Sequence, residues 1–112
     1  MKPGEKLIVD TNDDTGVRVI FTDKKRRAKS IQHPELNNNT FLKNVVKTIE
    51  APHEVWEDYD DKRRKVCYYK KYSTATYVKV VIWIKSTPCE VVTAYEINKI
   101  KEVNYPNLKR LR

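Results

Sequence analysis

The spacing of apolar residues changes from helical to strand-like near residue 52, and that change restricts the chain to few architectures. Phe41, Leu42, Val45, Val46 and Ile49 recur at helical spacing, with Lys43, Asn44 and Lys47 on the opposite side. Asn39 or Thr40 supplies the N-cap and Ala51-Pro52 ends the run. From residue 54 the period is two, which predicts strands over 54–58, 64–72, 76–84 and 89–97. Ser73-Thr74-Ala75 and Lys85-Ser86-Thr87-Pro88 join the last three, and such short links connect antiparallel neighbours, because a parallel crossover needs about a dozen residues or more. The result is a meander.

Upstream, Leu7-Ile8-Val9 and Val17 to Phe21 flank a run of turn formers, which predicts a small hairpin or one strand after an irregular entry. Thr22 reads as an N-cap with Asp23 in the first turn. The helix it opens runs to Gln32 with a thin apolar stripe of Ala28 and Ile31, so it is loosely docked. His33-Pro34 stops it, since the residue before proline is pushed out of the α region. Pro34 and Glu35 then open a new helical turn. The expected fold class is α+β, with N-terminal helices packed on a four-stranded antiparallel β-meander. A single domain over residues 1–98 and a basic tail over 99–112 follow from the same reading.

Charge bears on the partner. The 112 residues carry a formal net charge of +8. Lys24, Lys25, Arg26, Arg27 and Lys29 form one basic block, Lys62 to Lys65 a second, and Lys109, Arg110 and Arg112 a third. Glu54, Glu57, Asp58, Asp60 and Asp61 concentrate the acid. Solubility alone accounts for any single block; together they favour a polyanion, nucleic acid above all. No apolar run reaches the ~20 residues of a membrane-spanning helix, and the N-terminus lacks a signal-peptide pattern, so the expected location is cytoplasmic. Cys67 and Cys89 have no neighbouring ligands at zinc spacing and read as small apolar strand residues. Neither a metal nor another cofactor is expected.

With Tyr72 paired to Thr76 and Ile84 to Cys89, one sheet face carries Arg64, Val66, Tyr68 and Lys70, then Val78, Val80, Ile82 and Ile84, then Cys89, Val91, Thr93 and Tyr95. Tyr68, Lys70, Thr93 and Tyr95 then form a polar end suited to holding a phosphate and stacking a base. Ordinary strand preference for Tyr and Thr, with a snorkelling Lys70, explains the same pattern. A slip of one residue would reverse every face. His53 sits at the foot of the helix, where the C-terminal dipole suits it. His33 has no apolar periodicity to place it in a core.

The pattern Ile31-Gln32-His33-Pro34-Glu35, an amphipathic helix ending in Pro52, Tyr68-Tyr69-Lys70, Val80-Val81-Ile82 and Val91-Val92-Thr93-Ala94-Tyr95 resembles a nuclease superfamily. Its members are small phage- and toxin-associated domains grouped with barnase, EndoU, the tRNA-cutting colicins and RelE. The resemblance spans about residues 24–97 and implies metal-independent RNA cleavage by a toxin or phage effector. It implies His33 as general acid or base, Lys70 as the cation at the transition state, and Thr93 as the hydroxyl that orients the phosphate. Arg64, Tyr68 and Tyr95 are the implied substrate contacts, and an acidic immunity or antitoxin protein is the implied partner beside RNA. Gln32 stands where many such families carry arginine. A non-catalytic RNA-binding module uses the same basic surface, and a protein-interaction domain would use the acidic patch instead.

Overall fold

The computed structural model of the chain describes residues 6–58, 65–85, 87–98 and 108–111. Strands β1 (Leu7–Asn12) and β2 (Arg18–Thr22) form an antiparallel hairpin. Its turn is closed by Gly16 N–H to Asp13 O and Asp13 N–H to Val17 O. Gly16 adopts φ 89°, the left-handed region where a side chain is strained. Helix α1 (Asp23–Lys29) follows at once, and Thr22 Oγ1 accepts from Lys25 N–H as its N-cap. The helix is shorter than the sequence indicates and buries no residue; Ile31 lies beyond it, 84% exposed. Helix α2 (Asn39–Glu50) is capped by Asn38, one residue earlier than expected, through Thr40 N–H and Phe41 N–H.

Strands β3 (Glu54–Asp58), β4 (Lys65–Ser73), β5 (Thr76–Trp83) and β6 (Cys89–Ile97) form the predicted antiparallel run. The expected architecture is nevertheless corrected. The sheet is seven-stranded and mixed, in the order β1-β2-β6-β5-β4-β3-β7, with β7 at Leu108–Arg110. The N-terminal hairpin adds to it through a parallel pairing of β2 with β6, Val19 opposite Cys89 and Ile20 opposite Glu90. β7 pairs antiparallel with β3 at the other edge. The chain remains α+β, but strands precede the helices and extend the meander on both sides. The physical reason is the edge problem: β6 and β3 carry backbone groups that a four-stranded sheet would leave without ladder partners.

One sheet face is covered by α2. Phe41, Val45 and Ile49 pack there with Val66, Tyr68, Val78, Val80, Ile82, Val91 and Ala94, all buried. On the far face Cys67, Tyr69 and Val81 are buried, with Trp56, Val92 and Ile97 against them. Both cysteines are buried in strands. Among the described residues no helix is long and apolar enough to cross a membrane.

Candidate functional site

The His-Pro-Glu run is held by its own backbone and by β6. Gln32 and His33 both donate their N–H to Lys29 O, at 3.2 and 3.0 Å, which ends α1 in a tight turn. His33 is displaced from helical geometry (φ −130°, ψ 78°), as its proline neighbour requires. Pro34–Asn37 then form a 3₁₀ turn, with Leu36 N–H donating to His33 O at 3.0 Å. Leu36 is fully buried in the helix-face core, and Glu35 Oε2 accepts Glu96 N–H from β6 at 3.4 Å. Arg26 donates to Asn37 Oδ1 at 2.8 Å, joining α1 to the same turn. Pinned this way, the half-buried His33 imidazole lies flat on Tyr95, ring centroids 4.4 Å apart and planes within 12°.

A β-bulge decides which face carries Tyr95. Trp83 opposite Glu90 and Ile82 opposite Val91 hold the expected register. Between Val81 and Ile82 the pairing then shifts, so Val81 faces Thr93, Val80 faces Ala94 and Lys79 faces Tyr95. Val92 is the extra residue. Because side chains alternate, one inserted residue carries Thr93 and Tyr95 to the far face, away from α2. The expected shared face of Tyr68, Lys70, Thr93 and Tyr95 is corrected accordingly. Tyr68 still pairs with Val80 and Lys70 with Val78, on the helix face.

A cation on the far face close to Tyr95 is Lys79. Its ammonium lies 5.7 Å from the Tyr95 ring centroid and 5.6 Å from that of Tyr69, both within cation–π range. Thr93, two residues before Tyr95 on the same face, is half-buried, and its Oγ1 is enclosed without a hydrogen-bond partner among the described residues. An imidazole, an ammonium and a hydroxyl thus sit on one sheet face beside aromatic rings.

The model of the phage-Barnase-EndoU-ColicinE5/D-RelE like nuclease2 family matches residues 3–112. The chain belongs to this nuclease family. No curated protein and no solved structure is detectably similar to it.

In this phage-Barnase-EndoU-ColicinE5/D-RelE like nuclease the remaining expected site residues are placed elsewhere. Lys70 Nζ donates to Ala51 O at 2.8 Å, where a cation meets the C-terminal end of α2. Tyr68 is buried, and its hydroxyl donates to Asp13 Oδ2 at 2.6 Å. Arg64 lies outside the described residues, as do Lys62 and Arg63 of the second basic block. His53 serves the backbone rather than a helix end: its N–H donates to Tyr69 O at 2.8 Å and its Nδ1 accepts from Lys71 N–H at 3.0 Å.

Of the acidic cluster of this nuclease, the two described side chains, Glu54 and Glu57, fall on opposite sheet faces. Glu57 is buried opposite Val66 on the helix face. Glu54 lies on the far face, accepting from Trp56 Nε1 at 3.2 Å with Arg110 at 3.7 Å. Asp60, Asp61 and the Asp58 side chain lie outside the described residues. Among the described residues no three His, Cys, Asp or Glu side chains come together as a metal site. Burial, with Asp13 nearby, pushes the Cys89 thiol above its ordinary range, which disfavours the thiolate. Lys79 carries no signal in sequence, because a lone lysine in a Val/Ile strand reads as an ordinary solvent-facing residue. In sequence Glu35 shows only as a helix-opening acid, whereas in the fold it pins the turn that carries His33.

Proposed function

We propose that this chain is a metal-independent endoribonuclease whose catalytic face is His33, Lys79 and Thr93 with Tyr95. The observation that carries the reading is the flat stack of His33 on Tyr95, with the Lys79 ammonium within cation–π range of the same ring. RNA brings its own nucleophile, so the protein needs only proton transfer and charge stabilisation. His33 takes the proton of the 2′-hydroxyl as that oxygen attacks phosphorus. The bond to the 5′-oxygen breaks, and the leaving oxygen takes its proton from solvent. The products are a 2′,3′-cyclic phosphate and a 5′-hydroxyl. Proton transfer of this kind contributes about 10²–10⁴-fold, and histidine titrates nearest to neutral pH. Lys79 stabilises the extra negative charge on the phosphorane-like transition state. The Thr93 hydroxyl is enclosed and without a hydrogen-bond partner among the described residues, and a change of its rotamer would turn it toward a non-bridging oxygen.

Tyr95 holds the imidazole in one plane, which favours an oriented proton transfer. Lys70 falls outside this set, because its ammonium is engaged at the end of α2 on the opposite face. The net charge of +8 supports RNA as substrate and an acidic inhibitor protein as a second partner.

The test is incubation with total RNA in EDTA, followed by end-group analysis. Cleavage to 2′,3′-cyclic phosphate ends that vanishes in His33→Ala supports the reading. A His33→Ala variant that cuts as fast as wild type removes it. Salt-sensitive binding without cleavage, at high protein and long incubation, assigns the chain to RNA binding alone.

A further inference from the structure

We propose that Trp83 and Lys25 form a second nucleotide subsite, so that the protein holds a single-stranded RNA segment extended along β5. The inference rests on the RNA reading above and adds the form of the substrate. Trp83 lies on the same face of β5 as Lys79: Trp83 is opposite Glu90, and Lys79 is opposite Tyr95. Four residues of strand separate the two positions by about 13 Å. Lys25 Nζ stands 4.7 Å above the Trp83 ring, brought there from α1 by the same segment that carries His33. At the other end of the strand Lys71 stands 5.8 Å from the Tyr77 ring. Cations over aromatic rings therefore recur on this face at positions 77, 79 and 83 of β5.

Residues two apart on a strand are about 6.6 Å apart, close to the step between phosphates of an extended single strand. A duplex would present its bases to itself, whereas an extended strand offers each base to a ring and each phosphate to a cation. Ring stacking tolerates any base, which suits a track rather than a reader of sequence. Lys25 is available to a phosphate: its nearest acid, Glu90 Oε2, is 3.9 Å away, and both side chains are partly exposed at 25% and 32%. An ion pair that long in partial solvent is weak.

Trp56 and Trp83 are the two tryptophans, so Trp56→Phe leaves Trp83 as the sole indole reporter. The probe is a 2′-O-methyl hexanucleotide, which lacks the nucleophile. Saturable quenching of Trp83 emission is expected, with a dinucleotide binding at least about 10-fold more weakly. Trp83→Leu is expected to weaken hexanucleotide binding by about 10-fold, and Trp83→Phe by less, because a ring is kept. Lys25→Ala should lower the slope of log affinity against log salt by about 1. Glu90→Gln should tighten binding, since it frees Lys25 from its acid.

Cleavage of RNA with Trp83 emission unmoved by bound hexanucleotide overturns the subsite and leaves the ribonuclease reading standing. Quenching without cleavage supports the subsite and sinks the ribonuclease reading. Hexanucleotide affinity unchanged in both Trp83→Phe and Lys25→Ala overturns the subsite even where Trp83→Leu does not fold.

Discussion

The hydroxyl of Tyr68, in the middle of β4, donates at 2.6 Å to Asp13 in the turn between β1 and β2, and so ties the N-terminal hairpin to the meander. Asp13 Oδ1 also accepts Thr15 N–H, Thr15 Oγ1–H and Val17 N–H at 2.7–2.9 Å. A buried carboxylate with that many donors organises the turn. Tyr68→Phe removes one donor to a charged acceptor and leaves the carboxylate short of a partner. The expected loss is about 2 kcal/mol in urea unfolding. Cleavage of RNA per folded molecule should be little changed, because Tyr68 faces α2 and not His33.

Asp13 also predicts acid behaviour. Burial works to raise its pKa, but the donors from Tyr68, Thr15 and Val17 outweigh it and hold the carboxyl below the usual carboxylate range. A carboxyl depressed in the folded state contributes stability that is present above its unfolded pKa of about 3.9. That stability is lost as pH falls through the folded value. Urea midpoints measured between neutral pH and strong acid should fall below about pH 4. In Asp13→Asn the dependence in that window should be shallower, from a lower starting stability.

Two lysines separate stability from catalysis. Lys79→Ala removes the ammonium beside Tyr95 and should lower kcat/KM for RNA by about 10²-fold or more. Lys70→Ala removes a cation from the Ala51 carbonyl at the end of α2 and should cost about 1 kcal/mol of stability with cleavage retained. The reverse pattern in kinetics and urea melts would return Lys70 to the catalytic role that the family resemblance implies.

The stack of Tyr95 on His33 separates a positioning role from a substrate contact. Tyr95→Phe keeps the stacked ring and should retain most of kcat with the same pH profile. Tyr95→Leu lets the imidazole tilt, and misplacement on the order of 1 Å costs about 10²-fold. The loss should fall mainly on kcat rather than KM. A loss confined to KM would identify Tyr95 as a substrate contact instead.

The helix over 39–50, the Thr22 cap, the break at His33-Pro34 and the long strands are visible in sequence because each follows from local chemistry. Phe41, Val45 and Ile49 recur at helical spacing, Pro34 constrains His33, and Ser73-Thr74-Ala75 is too short for anything but a hairpin link. The pairing of β4 with β5 was legible for the same reason. So was the place of His33 at the break before Pro34.

The pairing of β2 with β6, the docking of β7 and the face of Thr93 and Tyr95 depended on residues distant in the chain. Sequence period says that strand residues alternate, but not where one is skipped. The bulge at Val92 carries no glycine or other local mark; it exists because β6 must satisfy β5 on one side while β2 and the His-Pro-Glu turn engage the other. That single residue places Thr93 and Tyr95 with His33 and Lys79, and apart from Tyr68 and Lys70. The sequence by itself determined the α+β class, the helix over 39–50, the four strands of the meander and the histidine before a helix-breaking proline, because short-range sterics and hydrophobic spacing suffice for them. Only the tertiary structure decided which lysine stands beside Tyr95, the ring on which that histidine stacks, because register is set by packing on both faces of the sheet at once.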